Sequence, residues 1–320
     1  MKKCKSIGEF LEVWGSLIIF ASMVILFSIL SSNFRSITNI SNVLVQSVPT
    51  FIMALGMCFV NLSGESDMSM GGTVGLAASV FCGLVGTGHS LAYAIVITLG
   101  ISIFFGALNG FLVAKIGLSS FITTISVMFL TQGLEYTYTK GDSMWTRGHP
   151  VTNFIQSKVG IVPVVVIIGA VFFVITYIVI HQTKVGSHLQ AVGLSAEAAK
   201  YAGIPVAKYK FFAYIFSAIF FAIGGVIYAL HSSGAMIYSG QRALLPVLAV
   251  TFIAKTVLGT KRPNIPGILV GAVMLTVISS AFTLLGIDFY FISIAQGAVL
   301  ILAAILSVNN RKIILQEDMN

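Results

Sequence analysis

The sequence predicts an all-α polytopic membrane protein with about ten transmembrane helices and both termini in the cytoplasm. Hydrophobic residues make up 57% of its 320 residues, and only 9% are charged. The mean hydropathy is +0.99, far above the range of soluble domains. Because the apolar runs are continuous and do not alternate, helices rather than barrel strands are expected to satisfy the backbone in lipid.

Ten apolar runs are long enough, or nearly so, to cross a hydrocarbon core of roughly 30 Å. The first run resembles a signal peptide, but no small-residue cleavage pattern follows it, so we expect a retained span. Regions 43–88 and 243–285 are broken by Gly, Pro or polar residues, which leaves kinked or re-entrant pieces as an alternative. The predicted spans are 13–31, 43–62, 70–88, 91–114, 118–138, 161–181, 209–231, 243–259, 264–285 and 289–308.

The orientation follows from the unequal distribution of Lys and Arg between alternate loops. With the N-terminus inside, thirteen of the eighteen basic residues fall on the cytoplasmic side. This places loop 182–208 in the cytoplasm and loop 139–160 outside. Membrane topology therefore explains the net charge of +8, and we expect no nucleic-acid partner.

The 139–160 loop divides a single transmembrane domain, residues 1–320, into two halves, about 13–138 and 161–308. Five spans in each half give the halves opposite senses through the bilayer. Inverted repeats of this kind are common in transporters. The geometry permits such a repeat, and sequence similarity between the halves does not by itself establish it.

A mostly polar island, residues 181–210, interrupts the apolar chain and contains the pattern of a short capped helix. Ser195 suits the N-cap, Gly203 suits the position after the C-cap, and Pro205 prevents continuation. A helix of about two turns is marginal alone in water, so we expect it to rest against another surface. One face carries Glu197, Lys200 and Tyr201, and the other carries Ala198, Ala199 and Ala202.

Segment 61–75 combines two acidic residues, Glu65 and Asp67, with four glycines and several serines. Carboxylates beside apolar spans are costly and usually face water, protein or a partner group. Asp67 or Ser69 is the expected cap of the following helix. Two interpretations stay open, a capped loop at the membrane surface and a role in gating or in the substrate path.

Small residues spaced four apart predict close helix packing in three places. Asn109 lies in one of these segments and is expected to hydrogen-bond to a neighbouring helix. The three pairs are Gly71/Gly75, Gly106/Gly110 and Gly267/Gly271.

The fifth span carries a polar thread that either lines a cavity or bonds back to its own helix. Aromatic residues, Phe121 among them, are suited to stacking on a sugar face. The candidate substrate pathway comprises Asn109, Phe121, Thr123, Thr124 and Gln132.

The sequence contains no catalytic motif, no metal-spaced His/Cys cluster and no Gly-x4-Gly-Lys-Ser/Thr phosphate loop. We therefore expect no metal and no cofactor bound by this chain, and no ATP hydrolysis by it alone. Glu135 and Asp288 lie near predicted external ends, and no predicted span centre carries a carboxylate. This argues against an ion-driven carrier, although some carriers use backbone carbonyls alone.

Three stretches together resemble the permease subunits of bacterial ABC importers of ribose and simple sugars, over about residues 15–308. Residues 64–71, GESDMSMG, resemble the family's Gly-Gly-Ile-Asp-Leu-Ser-Val-Gly signature and keep Gly64, Asp67, Ser69 and Gly71. Asn109-Gly110 and 120–124, SFITT, resemble its Asn-Gly and Phe-Ile-x-Thr-Leu segments. Gly186, 191–193 and 197–204 resemble the cytoplasmic loop that meets the ATPase subunit. Glu65 and Ser66 depart from the signature by adding polarity where the family is usually neutral.

The resemblance implies a permease in the bacterial inner membrane, working as a homodimer with an ABC ATPase subunit and an extracytoplasmic sugar-binding protein. ATP-Mg would bind to the ATPase alone. Alternatives are an ion-coupled secondary transporter, an intramembrane enzyme, or an ABC permease for a nucleoside, polyol or branched-chain amino acid. The residues implied in ATPase coupling are Ser195, Glu197, Ala198, Ala199, Lys200, Gly203 and Ile204.

Overall fold

Each of the ten apolar segments contains a helix in the computed structural model, which describes residues 7–146, 148–257, 262–299 and 301. The helices of these segments are α1 (Ile7–Leu30), α2 (Ile37–Leu62), α3 (Met70–Gly86), α4 (Leu91–Phe111), α5 (Ser120–Thr139), α7 (Val164–Gln182), α10 (Val206–His231), α11 (Ser239–Thr256), α12 (Ile265–Leu284) and a last helix, Phe289–Val299. A π-helical turn, Leu112–Ile116, extends α4.

The connections contain further structure, of which the sequence predicts only the short capped helix after Ser195. Three shorter helices are α6 (Pro150–Gln156), α8 (Lys184–Leu194) and α9 (Ala196–Tyr201), and a 3-10 turn covers Asn33–Arg35. Two antiparallel strand pairs join β1 (Met144–Trp145) to β4 (Gly234–Ala235) and β2 (Lys158–Val159) to β3 (Val162–Pro163).

Five of the described helices are long and apolar enough to cross a membrane: α2, α4 with its π-helical turn, α7, α10 and α12. Ten spans, inverted halves and cytoplasmic termini stay predictions. Region 43–88 forms two helices joined by loop 63–69, with Pro49 inside α2. Region 243–285 forms α11 and α12, and part of their connection, 258–261, lies outside the described residues.

The chain divides into two compact units. The first consists of residues 1–47 and 245–320. Its core contains Phe27, Phe34 and Val277, and Gly267 and Gly271 of α12 contact α11 as the small-residue spacing predicts. The Ser16 and Thr256 hydroxyl oxygens lie 2.6 Å apart in a buried hydrogen bond.

The second unit, residues 48–244, is built around α3. Nearly all residues of α3 are buried, and its glycines allow α5 to approach closely. A Cβ added at Gly71 would lie 2.9 Å from Met128 Sδ, and one added at Gly75 would overlap the Glu135 carboxylate. Gly72, between them, is tighter still, because a Cβ there would overlap Thr131 Oγ1 and the Met128 carbonyl oxygen. The small-residue prediction is therefore confirmed for this helix pair. Gly106 and Gly110 contact α10 in the same way.

We predict that Gly72→Ala destabilises the protein by about 1–3 kcal/mol, the typical cost of overpacking a tight core. The added methyl group meets the α5 backbone, which a side-chain rotation cannot relieve. The measurement is thermal unfolding of the purified chain in detergent.

Gly133→Ala is the matched control, because Gly133 lies within α5 and a Cβ there meets no atom within 4 Å. We expect this variant to unfold at or slightly above the original temperature. Equal unfolding temperatures for the two variants would contradict the packing of α3 against α5.

Candidate functional site

A buried carboxylate organises loop 63–69, which joins α2 to α3. Asp67 is 2% exposed. Its Oδ1 accepts hydrogen bonds from the Ser69 backbone N–H at 3.0 Å and from the Ser69 hydroxyl at 2.5 Å. Its Oδ2 accepts one from the Ser217 hydroxyl of α10 at 2.7 Å. Burial raises the pKa of Asp67 above its ordinary value, and the bonds from Ser69 and Ser217 oppose this rise.

Of the two caps expected for α3, Ser69 stands at the N-cap position but its side chain makes no capping bond, so that alternative is wrong. Asp67 is the residue whose side chain accepts a backbone N–H there, from Ser69. The Ser69 backbone is helical, with φ −63° and ψ −16°, whereas a capping side chain requires an extended backbone. The Ser69 hydroxyl instead donates to Asp67.

Asn109 makes the hydrogen bond to a neighbouring helix that the sequence predicts. Its Nδ2 donates to Ser69 Oγ at 2.9 Å. Asn109, Ser69, Asp67 and Ser217 thus form one buried chain of hydrogen bonds, which connects α4, the start of α3 and α10.

The loop backbone is held from two further sides. The Met68 N–H donates to Thr124 Oγ1 of α5 at 3.0 Å. The Tyr214 hydroxyl of α10 donates to the Ser66 carbonyl oxygen at 3.0 Å. Helices α4, α5 and α10 therefore all contact loop 63–69 through hydrogen bonds.

Glu65, which departs from the family signature, has a specific partner. Its carboxylate forms an ion pair with Lys210 at the start of α10, and the two side chains are 16% and 20% exposed. The added charge is thus neutralised within the chain, and the pair fixes the Glu65 position of the loop to α10.

Helix α9 has the caps that the sequence predicts. Ser195 Oγ accepts a hydrogen bond from the Ala198 N–H at 3.2 Å. At the other end, the Gly203 N–H donates to Lys200 O at 3.0 Å and the Ile204 N–H to Ala199 O at 2.9 Å. These two bonds form a Schellman motif, in which Gly203 takes the left-handed conformation with φ +79°.

The two faces of α9 differ from the expectation. Ala199 is 3% exposed and packs within the chain, so it does not belong to a contact face in this conformation. Ala198 and Ala202, expected on the same face, are exposed together with Glu197 and Lys200. The spacing of the alanines in so short a helix did not show which of them points inward, because the orientation of α9 depends on its contacts with α8 and α10.

Two large side chains beside the ends of α9 were left out of the predicted ATPase-coupling set, although Tyr201 was expected on one face of the helix. Tyr201 is 92% exposed and Leu194 is 69% exposed. An apolar residue directly before a capping Ser, in an otherwise polar loop, is the signal that could have identified Leu194. Exposed apolar side chains of this size are typical of a surface that meets another protein.

A backbone contact joins α8 to loop 63–69. A Cβ at Gly193, near the end of α8, would overlap the Leu62 carbonyl oxygen and lie 2.9 Å from the Gly64 N. Gly64 has φ +83°, and a Cβ there would lie 3.1 Å from Gly193 Cα. The two glycines therefore allow main chain to pack directly on main chain.

Three of the five pathway candidates carry a buried polar atom without a partner among the described residues: Asn109 Oδ1, Thr123 Oγ1 and Gln132 Nε2. Thr124 instead uses its hydroxyl to hold the loop. Phe121 is 55% exposed. Side chains two positions apart in a helix point about 200° apart, so Phe121 faces outward when Thr123 faces the buried side. The structure does not group Phe121 with the buried candidates.

Glu135 of α5 is 1% exposed, and the sequence did not predict its burial. The Ser79 hydroxyl of α3 donates to its Oε1 at 3.0 Å, and Gly75 provides the space for its carboxylate. The described residues contain no group of three or more His, Cys, Asp or Glu side chains placed to hold a metal ion.

Comparisons with known proteins place this architecture in a transport family. A family model described as "Branched-chain amino acid transport system / permease component" matches residues 39–304. The ribose import permease protein of Escherichia coli strain K12 is 30% identical over 302 residues, 93% of each chain. The galactose/methyl galactoside import permease protein of the same strain is 25% identical, over 94% of this chain and 96% of its own.

Another relative, the ribose import permease protein of Bacillus subtilis strain 168, is 29% identical over 89% of each chain. No solved structure matches the chain. The resemblance to simple-sugar importer permeases is confirmed. The chain belongs to the transport-system permease family whose family model it matches, and its apolar helices agree with a multi-pass membrane protein.

Proposed function

We propose that this chain is the transmembrane permease subunit of an ATP-driven importer that moves a monosaccharide, ribose-like or a related simple sugar, into the cytoplasm. The ribose and galactose import permeases among its relatives support the substrate class. The observation that carries the proposal is the contact of Gly193 with Leu62 and Gly64, because it joins α8, which leads directly into the exposed and capped α9, to loop 63–69.

The proposed partners are an ABC ATPase subunit, an extracytoplasmic sugar-binding protein and a second copy of this chain, in the bacterial inner membrane. ATP-Mg would bind to the ATPase subunit, and this chain would bind no cofactor or nucleic acid. The distribution of Lys and Arg supports an orientation with α9 in the cytoplasm.

In this proposal, the exposed side of α9 enters a cleft of the ATPase and moves when the ATPase closes around ATP. Displacement of α9 and α8 would be carried through Gly193 to Leu62 and Gly64. Since α4, α5 and α10 are all bonded to loop 63–69, a shift of the loop would bias these helices together between outward- and inward-open arrangements.

The unpaired polar atoms of Asn109, Thr123 and Gln132 support their place in the substrate pathway. Buried groups without partners are costly, and a sugar hydroxyl can donate to Asn109 Oδ1 or accept from Gln132 Nε2. We propose that these three side chains contact the sugar during its passage.

Two alternatives keep specific support. The first is an ABC permease for branched-chain amino acids, which the description of the family model names. To bind the carboxylate of an amino acid, such a permease would need helix N-termini or a basic group near the membrane midplane. The buried Glu135 is the kind of group that an ion-coupled transporter uses.

We predict that Tyr201→Ala lowers the amount of ATPase that co-purifies with the permease by about tenfold, the effect of losing an aromatic anchor at an interface. Because Tyr201 is 92% exposed, the unfolding temperature of the permease itself should not change. Co-purification from membranes and uptake of labelled ribose measure the effect.

Tyr93→Ala is the matched control, since Tyr93 is 48% exposed at the start of α4. We expect it to keep ATPase binding. If Tyr201→Ala also kept full ATPase binding and uptake, the coupling role of α9 would be wrong.

We predict that Glu135→Gln keeps ATP-dependent uptake within about twofold, since the amide can still accept the bond from Ser79. An ion-coupled transporter would lose accumulation with this substitution, because glutamine cannot release a proton. Uptake into vesicles with and without ATP, and with an uncoupler, distinguishes the two mechanisms.

The matched control is Asp288→Asn, which removes an exposed carboxylate near the end of α12. Uncoupler-sensitive uptake that needs no ATP, and that only Glu135→Gln abolishes, would support the ion-coupled alternative against the proposed function.

A further inference from the structure

A groove of about 810 Å³ lies between the end of α4 and the start of α10, beside the segment that follows α9. It is separate from the buried chain of hydrogen bonds around Asp67. Four lysines line it: Lys115, Lys200, Lys208 and Lys210.

The floor between these lysines is apolar. Residues of both helices provide it, and Phe111 is 44% exposed there. The Lys115 Nζ lies 5.8 Å from the centroid of the Phe111 ring, so the ammonium stands directly beside the apolar surface. The apolar lining includes Phe111, Val113, Ile204, Val206, Ala207 and Phe211.

The charge of the groove is not balanced within the described chain. Lys210 is paired with Glu65. Lys115, Lys200 and Lys208 are exposed and form no ion pair with any described residue. Lysines exposed only to water would not need an apolar groove between them. Unpaired lysines around an apolar surface therefore indicate a ligand that is both negatively charged and partly apolar.

We propose that this groove binds an anionic phospholipid, with the headgroup phosphate between Lys115 and Lys208 and the start of an acyl chain along Phe111 and Phe211. Both α4 and α10 are long and apolar enough to span the membrane, and if they do so, a groove at their adjoining ends is placed at the depth of the lipid headgroups. Basic pockets between spanning helices are suited to such headgroups. A free phosphate would use the lysines and leave the apolar floor uncovered.

The test is native mass spectrometry of the purified full-length chain, without ATPase, titrated with phosphatidylglycerol or with phosphatidylcholine. We expect tighter binding of phosphatidylglycerol. Lys115→Gln with Lys208→Gln should weaken this binding by about tenfold or more, given the attraction of each lysine to an anionic headgroup. The control pair is Lys158→Gln with Lys184→Gln, which removes two exposed lysines that do not line the groove.

A second variant leaves every lysine in place. Ala207→Trp adds a large side chain to the groove at an exposed position, and it should displace the lipid while the chain keeps its elution volume and unfolding temperature. This variant keeps the proposal testable if the double lysine variant does not fold.

Equal binding of the two lipids, or unchanged phosphatidylglycerol binding in both groove variants, would overturn the proposal. Displacement of the lipid by glycerol phosphate at equal concentration would assign the groove to a soluble phosphate compound instead. If both groove variants kept phosphatidylglycerol binding but lost the ATPase in a separate co-purification from membranes, the lipid proposal would be wrong and the groove would be assigned to an acidic segment of the ATPase. Since lipid binding is measured without transport, its failure leaves the proposed importer function untouched.

Discussion

The burial of the Asp67 carboxylate is the constraint on which the functional region of this protein depends. A carboxylate withdrawn from water is costly unless donors surround it. The described structure supplies these donors from Ser69 on one side and Ser217 of α10 on the other. These bonds tie Asp67 both to its own loop and to α10, so they help to hold the backbone path between α2 and α3.

A loop fixed in this way can transmit movement. Its residues Ser66, Met68 and Ser69 are hydrogen-bonded to α10, α5 and α4 through Tyr214, Thr124 and Asn109. Near the end of α2, Gly64 of the loop contacts Gly193 of α8 through the backbone. Packed cores respond to displacement by switching between arrangements rather than by bending continuously, and we infer that the loop couples the exposed α9 to the helices around the pathway.

Local rules explain what could be predicted from the sequence. Hydropathy located the helices of the ten apolar segments, and the residue types Ser195 and Gly203 predicted the caps of α9. The partner of Asp67 could not be predicted, because Ser217 lies 150 residues away in the chain. The burial of Ala199 and Glu135 depends in the same way on which neighbouring helix packs against each face. Tertiary contacts therefore decided the chemistry of the site, and sequence patterns located its parts.

A double-mutant cycle between Asp67 and Ser217 tests the central constraint most directly. The unfolding free energies of Asp67→Ala, Ser217→Ala and the double variant would be compared with that of the unmodified chain, because alanine at position 67 leaves no acceptor for the Ser217 hydroxyl. Because the two side chains share a buried hydrogen bond, we predict an interaction free energy of about 1 kcal/mol or more. Strictly additive effects, within about 0.3 kcal/mol, would contradict the account.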